Sequence, residues 1–330
     1  MKRRLSIALR VVISVVLLVL LFREHSFLKD ILPRLGALAR NWPWVLAGLG
    51  SALAGLLCGA TRWFVLLRGY APRLSWTTLA RTEIVATFFN VSSLGVVGGD
   101  AYKIMSVSRR LPGQTAQVGV SLMLDHLTGF VAVGVLFFGC FASLWPRWEA
   151  LGHDARLLLS GFSAFMAAGL AGLLLCWFMF KPRVLAWGVR SFPGVTGRRM
   201  FARFAARLAV VHDVIIALWR RALVSVIVSF AVYGAIFTTF YCALRSVDAV
   251  APFADVMTAM PVVDAMAALP ISVSGLGVRE RTFEALLSSF AQVPEAACVS
   301  AAFVGWLFSV FWGLLGGVLF LRGGGKEGRT

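Results

Sequence analysis

Two short segments hold most of the side chains that could do chemistry within otherwise apolar sequence. Residues 273–278 read Val-Ser-Gly-Leu-Gly-Val and lead directly into Arg279, Glu280, Arg281 and Glu284. Residues 91–96, found 182 positions earlier, read Val-Ser-Ser-Leu-Gly-Val and lead into Gly98, Gly99, Asp100, Tyr102 and Lys103. Ser/Gly-rich backbone followed by charge is costly in hydrocarbon unless it lines a cavity. In the second segment two guanidinium groups stand beside a helix start. Paired arginine donors and free helix-end N–H groups suit an oxyanion such as phosphate. Arg279 and Arg281 are therefore candidate headgroup ligands, with Ser274, Gly275 and Gly277 at the break allowing close backbone approach. The competing reading is a surface ion-pair cluster: Arg281 can pair with Glu284 at i,i+3, and Glu280 and Glu284 share a helix face. In the first segment Asn90, Ser92, Gly98 and Gly99 are the corresponding lining candidates. Lys103 is read either as a phosphate contact or as a charge facing the headgroup layer. Asp100 is read either as a helix N-cap or as a coupling-ion ligand.

Two further carboxylates lie where carboxylates are expensive. Asp125, followed by His126, sits inside the apolar run 117–143, and Asp264 sits between Pro261 and Pro270, two prolines expected to interrupt the helix there. Ionisable groups inside a span are functional by default, so Asp100, Asp125, His126, Asp264, Glu280 and Glu284 form the candidate set for proton or ion coupling. For Asp125 an interhelical salt bridge to Arg62 or Arg81 is an equal alternative. No metal or cofactor site is expected. The five cysteines stand singly in apolar runs, and the Gly95 to Gly99 segment lacks the Lys-Ser/Thr of a phosphate-binding loop. No nucleophile triad is present either, so the chain is not read as an enzyme.

The elements that must position these groups are membrane helices. The 330 residues are 59% hydrophobic and 14% charged, too apolar for a soluble domain. Spans are expected at about 5–22, 44–61, 117–143, 157–180, 222–244 and 297–321. Shorter apolar stretches at about 82–97 and 255–272 run into the repeated motif. The first span follows Lys2, Arg3 and Arg4 but lacks a small-residue cleavage site, so it reads as an uncleaved helix. Basic residues decide the depth of the two shorter stretches. If each enters and leaves on one side, 23 of the 32 lysines and arginines fall on the cytoplasmic side together with both termini; if each spans, the bias is lost.

The expected fold is thus an all-α polytopic membrane protein, a single integral domain over residues 1–330 with about six spanning helices and two re-entrant helical hairpins. An odd number of spans in each half, about 1–150 and 151–322, makes an inverted repeat. Arg199, Arg203 and Arg207, four residues apart within 181–221, suggest an amphipathic helix on the cytoplasmic surface, either a lipid-capturing element or a positive-inside anchor. The formal charge of +17 fits anionic lipids as partners rather than nucleic acid. Self-association is left open.

Three stretches resemble one family. They are Phe88-Phe89-Asn90 through Gly98-Gly99-Asp100-Ala101-Tyr102-Lys103, Val118 to Gly129 including Asp125-His126, and Leu269-Pro270 to Gly275-Leu276-Gly277-Val278-Arg279-Glu280. Together they resemble the lysylphosphatidylglycerol synthase transmembrane-region family over essentially the whole chain. The resemblance implies a bacterial-type inner-membrane protein that moves or handles lipids. In bifunctional members this region is the flippase, and a separate soluble domain performs aminoacyl transfer. The chain stops at Thr330 without that domain, so lysyl transfer is not expected of it. Ser92-Ser93-Leu94 replace a frequent Pro-Gly turn, Lys103 replaces a frequent Arg, and members usually have more than six spans. The expected function is flipping of an anionic phospholipid or polyprenyl-phosphate lipid through a cavity between the hairpins. The alternatives are a membrane glycosyltransferase or lipid-modifying enzyme acting on polyprenyl-linked substrates, and an envelope-assembly scaffold.

Overall fold

The computed structural model describes residues 32–69, 71, 74–91, 96–179, 199–269 and 272–323. Among them every regular element is helical: α1 (Leu32–Gly36), α2 (Trp42–Leu67), α3 (Trp76–Phe89), α4 (Val96–Ser108), α5 (Thr115–Phe141), α6 (His153–Met179), α7 (Arg199–Ser246), α8 (Phe253–Ala268), α9 (Val278–Phe290) and α10 (Glu295–Gly323). A 3-10 segment, Ala142–Ala150, extends α5, and a 3-10 turn, Val273–Gly275, lies between α8 and α9.

Among the described residues, five helices are long and apolar enough to cross a membrane: Trp42–Leu67, Thr115–Ala150, His153–Leu175, Arg220–Ser246 and Glu295–Arg322. Each contains most of an expected span. The expected span at 5–22 lies outside the described residues. The four remaining long helices are shorter and come in pairs. α3 and α4 have 14 and 13 residues, and α8 and α9 have 16 and 13. At 1.5 Å per residue these reach about 20–24 Å, against a hydrocarbon core of about 30 Å.

Two expectations about local structure need correction. Pro261 does not interrupt α8; the helix runs through it to Ala268, where Leu269 turns to extended backbone ahead of Pro270. The segment at 199–221 is not a separate surface helix, because Arg199–Ser246 is one unbroken helix.

At the centre α2 and α7 pack antiparallel. Asn41 donates to the Ser246 carbonyl at one end, Ser51 to the Ala235 carbonyl in the middle, and Arg62 to Ser229 at the other end. Around this pair the principal contacts come in matched sets. α3 packs on α2, α4 and α10; correspondingly α8 packs on α7, α9 and α5. α4 packs on α5, and α9 packs on α10. α5 and α10 each touch both central helices.

The α3–α10 seam is close because three glycines of α10 admit it. A Cβ on Gly316 would collide with the Ile84 carbonyl, one on Gly317 would lie 2.9 Å from the Phe88 ring, and one on Gly313 would lie 3.5 Å from Val91. Beyond them Arg81 donates to the Leu319 carbonyl, and Phe89, Tyr102 and Phe320 form an aromatic cluster. α3 therefore runs antiparallel to α10, with its C-terminal end nearest Gly313. From the other end of α10, the break after α8 reaches Trp306, whose indole donates to Ser274. Trp306 and Gly313 are seven residues apart, so the C-terminal end of α3 and the turn after α8 meet α10 about 10 Å apart along its axis.

Candidate functional site

The first pair of short helices brings its charged residues into contact with neighbours. The Lys103 ammonium on α4 lies 2.8 and 2.7 Å from the two carboxylate oxygens of Glu83 on α3, and 5.9 Å from the centre of the Trp63 ring. Asp100 Oδ2 accepts from His126 Nε2 on α5 at 2.8 Å. Asp100 is not the N-cap: α4 begins at Val96, which puts Asp100 inside the helix. Gly99 is held by Asn90, whose side-chain oxygen accepts the Gly99 N–H at 3.0 Å and leaves no room for a Cβ there. That bond closes the pair on itself, so the Gly99 N–H does not stand free for an anion. Gly98 is buried in the same turn. Ser92 lies outside the described residues.

Asp125 is in the bidentate ion pair weighed as its alternative. Arg62 Nε and Nη2 donate to Asp125 Oδ1 and Oδ2 at 2.6 and 2.7 Å, both residues being buried. Ser229 and the Tyr233 ring complete the surroundings of the guanidinium, and Thr128 bonds Ser225 beside it. This network ties α2, α5 and α7 together.

The second pair is built differently. Its break needs three positive φ angles within four residues: 54° at Ser274, 75° at Gly275 and 82° at Gly277, with Leu276 extended between the last two. Gly275 allows no side chain for a second reason, since a Cβ would lie 2.6 Å from that of Ala267. At the start of α9 the fully buried Glu280 turns back to accept the Gly277 N–H at 2.6 Å through Oε2. This is half of a capping box and consumes one of the N–H groups at that helix end. Arg281 pairs with Glu284 at 2.9 Å, the ion pair that the spacing suggested. Arg279 differs from the other bases. Its Nε and Nη1 are buried and have no hydrogen-bond partner among the described residues, as is also true of Glu280 Oε1 and the Ser272 hydroxyl. Its charge acts on both Asp264 of α8 and Glu280. Orphaned buried donors and acceptors are uncommon in folded proteins, which sets Arg279 apart from the other bases of the two pairs.

At the end of the bundle formed by Asn41 and Val247, Asp248 pairs with Arg40 and accepts from Asn41 at 2.7 Å. The Asn41 bond and the Arg40 charge hold its carboxyl below the ordinary aspartate range. Arg147 similarly spans the buried Asp255 carboxylate at 2.8 and 3.3 Å.

Sequence reasoning missed Glu83, although its signal was of the kind that exposed Asp125: a lone acid leading an apolar run, Ile84 to Phe89. It also missed Trp63 and Trp306, which only the packing brings to the two pairs. No group of three or more His, Cys, Asp or Glu residues among the described residues could hold a metal ion.

Long apolar helices packed with two pairs of short ones that carry buried charge define a multi-pass helical membrane protein. The sequence matches the profile described as Lysylphosphatidylglycerol synthase TM region over residues 7–317, and the chain belongs to that family. Comparison with curated proteins gives no match.

Proposed function

We propose that this protein carries lipids with an anionic headgroup, of phospholipid or polyprenyl-phosphate type, from one leaflet of the cytoplasmic membrane to the other. The observation that carries the reading is Arg279: a guanidinium at a helix break, with two buried N–H-bearing nitrogens that have no partner among the described residues, in a place where leaving them so is expensive. Lys103, Arg281 and Arg62 each have a carboxylate at salt-bridge distance, which leaves Arg279 as the base best placed to receive a phosphate.

The arrangement of the short pairs supports this reading. Helices of about 20–24 Å joined at a break suit hairpins that enter and leave on one side. Their approach to α10 from opposite ends, and the matched packing of α2–α5 with α7–α10, fit an inverted repeat in which broken helices meet near the midplane. Rocking one half against the other would then open the space between the tips first to one side and then to the other. With both termini cytoplasmic, the basic residues gather on the inner face, in keeping with this orientation.

The test is headgroup translocation in proteoliposomes across a panel of anionic and zwitterionic lipids, using wild type, Arg279→Ala and Arg279→Lys. One lipid class should move, Ala should stop it, and Lys should restore part of the rate, because an ammonium keeps the charge but not the planar donor array. Wild-type rates in Arg279→Ala would remove this residue from the mechanism, and no movement of any lipid would end the translocation reading.

A further inference from the structure

Lys103 poses a problem that stability does not solve. It is 8% exposed, sits within the α3–α4 pair, and is neutralised by Glu83 at 2.7 Å. A buried ion pair is roughly break-even against an apolar replacement of the same size, so burial alone gives no reason for one here. The residue type is informative as well. A fixed bridge to a carboxylate is best made by the planar fork of arginine, as Arg62 makes to Asp125 in the next layer. A lysine ammonium is a compact charge with three rotatable donors, which can exchange one oxyanion for another without a matching plane.

Position adds a second argument. Lys103 lies seven residues after Val96, about 10 Å along α4 from the break, in the direction of the turn at 109–114. That turn is on the cytoplasmic side in the orientation proposed above. Arg279 lies at the tip of the facing pair. A headgroup moving from the cytoplasmic surface toward Arg279 therefore passes the level of Lys103 first. The apolar anchoring near Lys103 is also thin. Leu79 and Val107 of the first pair belong to a six-residue cluster with Trp63, Leu67, Val118 and Leu122, whereas the second pair is rooted in the main core.

We infer that the Glu83–Lys103 pair is a second anion subsite seen in its self-occupied state: the Glu83 carboxylate holds the place of a lipid phosphodiester, and Lys103 receives that group on its way to Arg279. The inference rests on the translocation reading and adds to it a cytoplasmic-side stop and an internal competitor for it. Exchange of Glu83 for phosphate leaves Lys103 neutralised throughout, so the ammonium is never buried alone.

The experiment uses the full chain in phosphatidylcholine vesicles containing headgroup-labelled phosphatidylglycerol. Glu83→Gln removes the competitor's charge, and the phosphatidylglycerol content giving half-maximal initial rate should fall by about threefold or more, since a charged acceptor holds Lys103 more strongly than a neutral one. The exchange variant Glu83→Lys/Lys103→Glu keeps an ion pair but puts the base on α3, and it should slow translocation about tenfold or more while staying monodisperse. An unchanged half-saturation in Glu83→Gln, or a wild-type rate in the exchange variant, would reduce the pair to a structural tie. If the exchange variant does not fold, the Glu83→Gln half-saturation decides alone. Competition by inorganic phosphate would assign the subsite to the free ion and overturn the lipid assignment. Should wild type move no phosphatidylglycerol, or Arg279→Ala move it normally, the translocation reading falls and this inference with it. If those controls behave and only the Glu83 arms fail, this inference falls alone.

Discussion

Removing the Asp125 carboxylate should be among the most damaging single changes in the described bundle, and its size separates a structural role from a proton-carrying one. In Asp125→Ala the Arg62 guanidinium loses both short bonds, keeping Ser229 at 3.4 Å and the Tyr233 ring at 6.0 Å. Two magnitudes compete. Hydrogen bonds between membrane helices average only about 0.6 kcal/mol, because the reference state finds other partners. Breaking one side of a buried ion pair costs about 3–5 kcal/mol, because it strands a charge. Arg62 lies five residues before the end of α2, about 8 Å from it, so partial escape to the interface lowers the cost below that of a mid-bilayer charge. The expected loss is therefore about 3 kcal/mol. Denaturant titration of wild type, Asp125→Ala, Arg62→Met and the double variant in mixed micelles measures it, and the cycle should return a coupling of about 2 kcal/mol or more. A single-variant loss below about 1 kcal/mol, with coupling near zero, would refute the reasoning. The double variant also bears on function: if the pair is only a tie, it keeps transport, whereas a proton carrier at Asp125 would be missed whatever the stability.

Three other outcomes are expected. Gly275→Ala must place a Cβ 2.6 Å from Ala267 at φ 75°, and should destabilise by about 2–4 kcal/mol in the same titration, while Gly172→Ala, with nothing within 4 Å, should be neutral or slightly stabilising. In a background lacking the native cysteines, Thr77→Cys and Arg109→Cys, at the two ends of the first short pair, should both react with an impermeant thiol reagent from the cytoplasmic side. Ala254→Cys and Gln292→Cys should both react from outside, and labelling of either pair from opposite sides would make those helices spans. Hydrogen exchange should be faster in α3–α4 than in α8–α9, because the second pair belongs to the main core; equal protection would contradict the unequal anchoring.

The long helices were legible because apolar length alone specifies a span. The segment expected at 222–244 became Arg220–Ser246, and that at 297–321 became Glu295–Arg322. The partner of Arg281 was legible too, being one helical turn away. What was not legible depends on contacts across breaks or between helices. Glu83 and Lys103 are 20 residues apart and meet only because Asn90 folds α4 back onto α3. Asp100 looked like a cap because Gly98 and Gly99 precede it, yet those glycines are helical and α4 starts earlier. Pro261 looked like a break, but the helix carries through it inside a fully buried stretch of α8. Arg279 was singled out by type and position. That it is unlike Lys103 and Arg281 could come only from a count of partners.

The two short pairs match in topology and differ in how they are held, and the difference bears on which one moves. α8 contributes Val256, Ala259, Met260, Val262 and Val263 to one core cluster with Phe283 and Phe290 of α9 and Phe137 of α5. Its break is fixed further by Gly275 against Ala267 and by Trp306 on Ser274. The first pair instead rests on a glycine seam, an aromatic cluster, a small apolar cluster around Leu79 and Val107, and the Glu83–Lys103 and Asp100–His126 contacts. A glycine seam gives close contact with little interlocking of side chains, so sliding along it displaces fewer packed groups than sliding along a core interface. The pair that carries Arg279 is thus the more firmly packed one, and the pair that carries Glu83 and Lys103 is the looser one. In the carrier proposed above, the binding group would stay on the firmly packed element, and the element that opens would be closed by a contact that the substrate could replace.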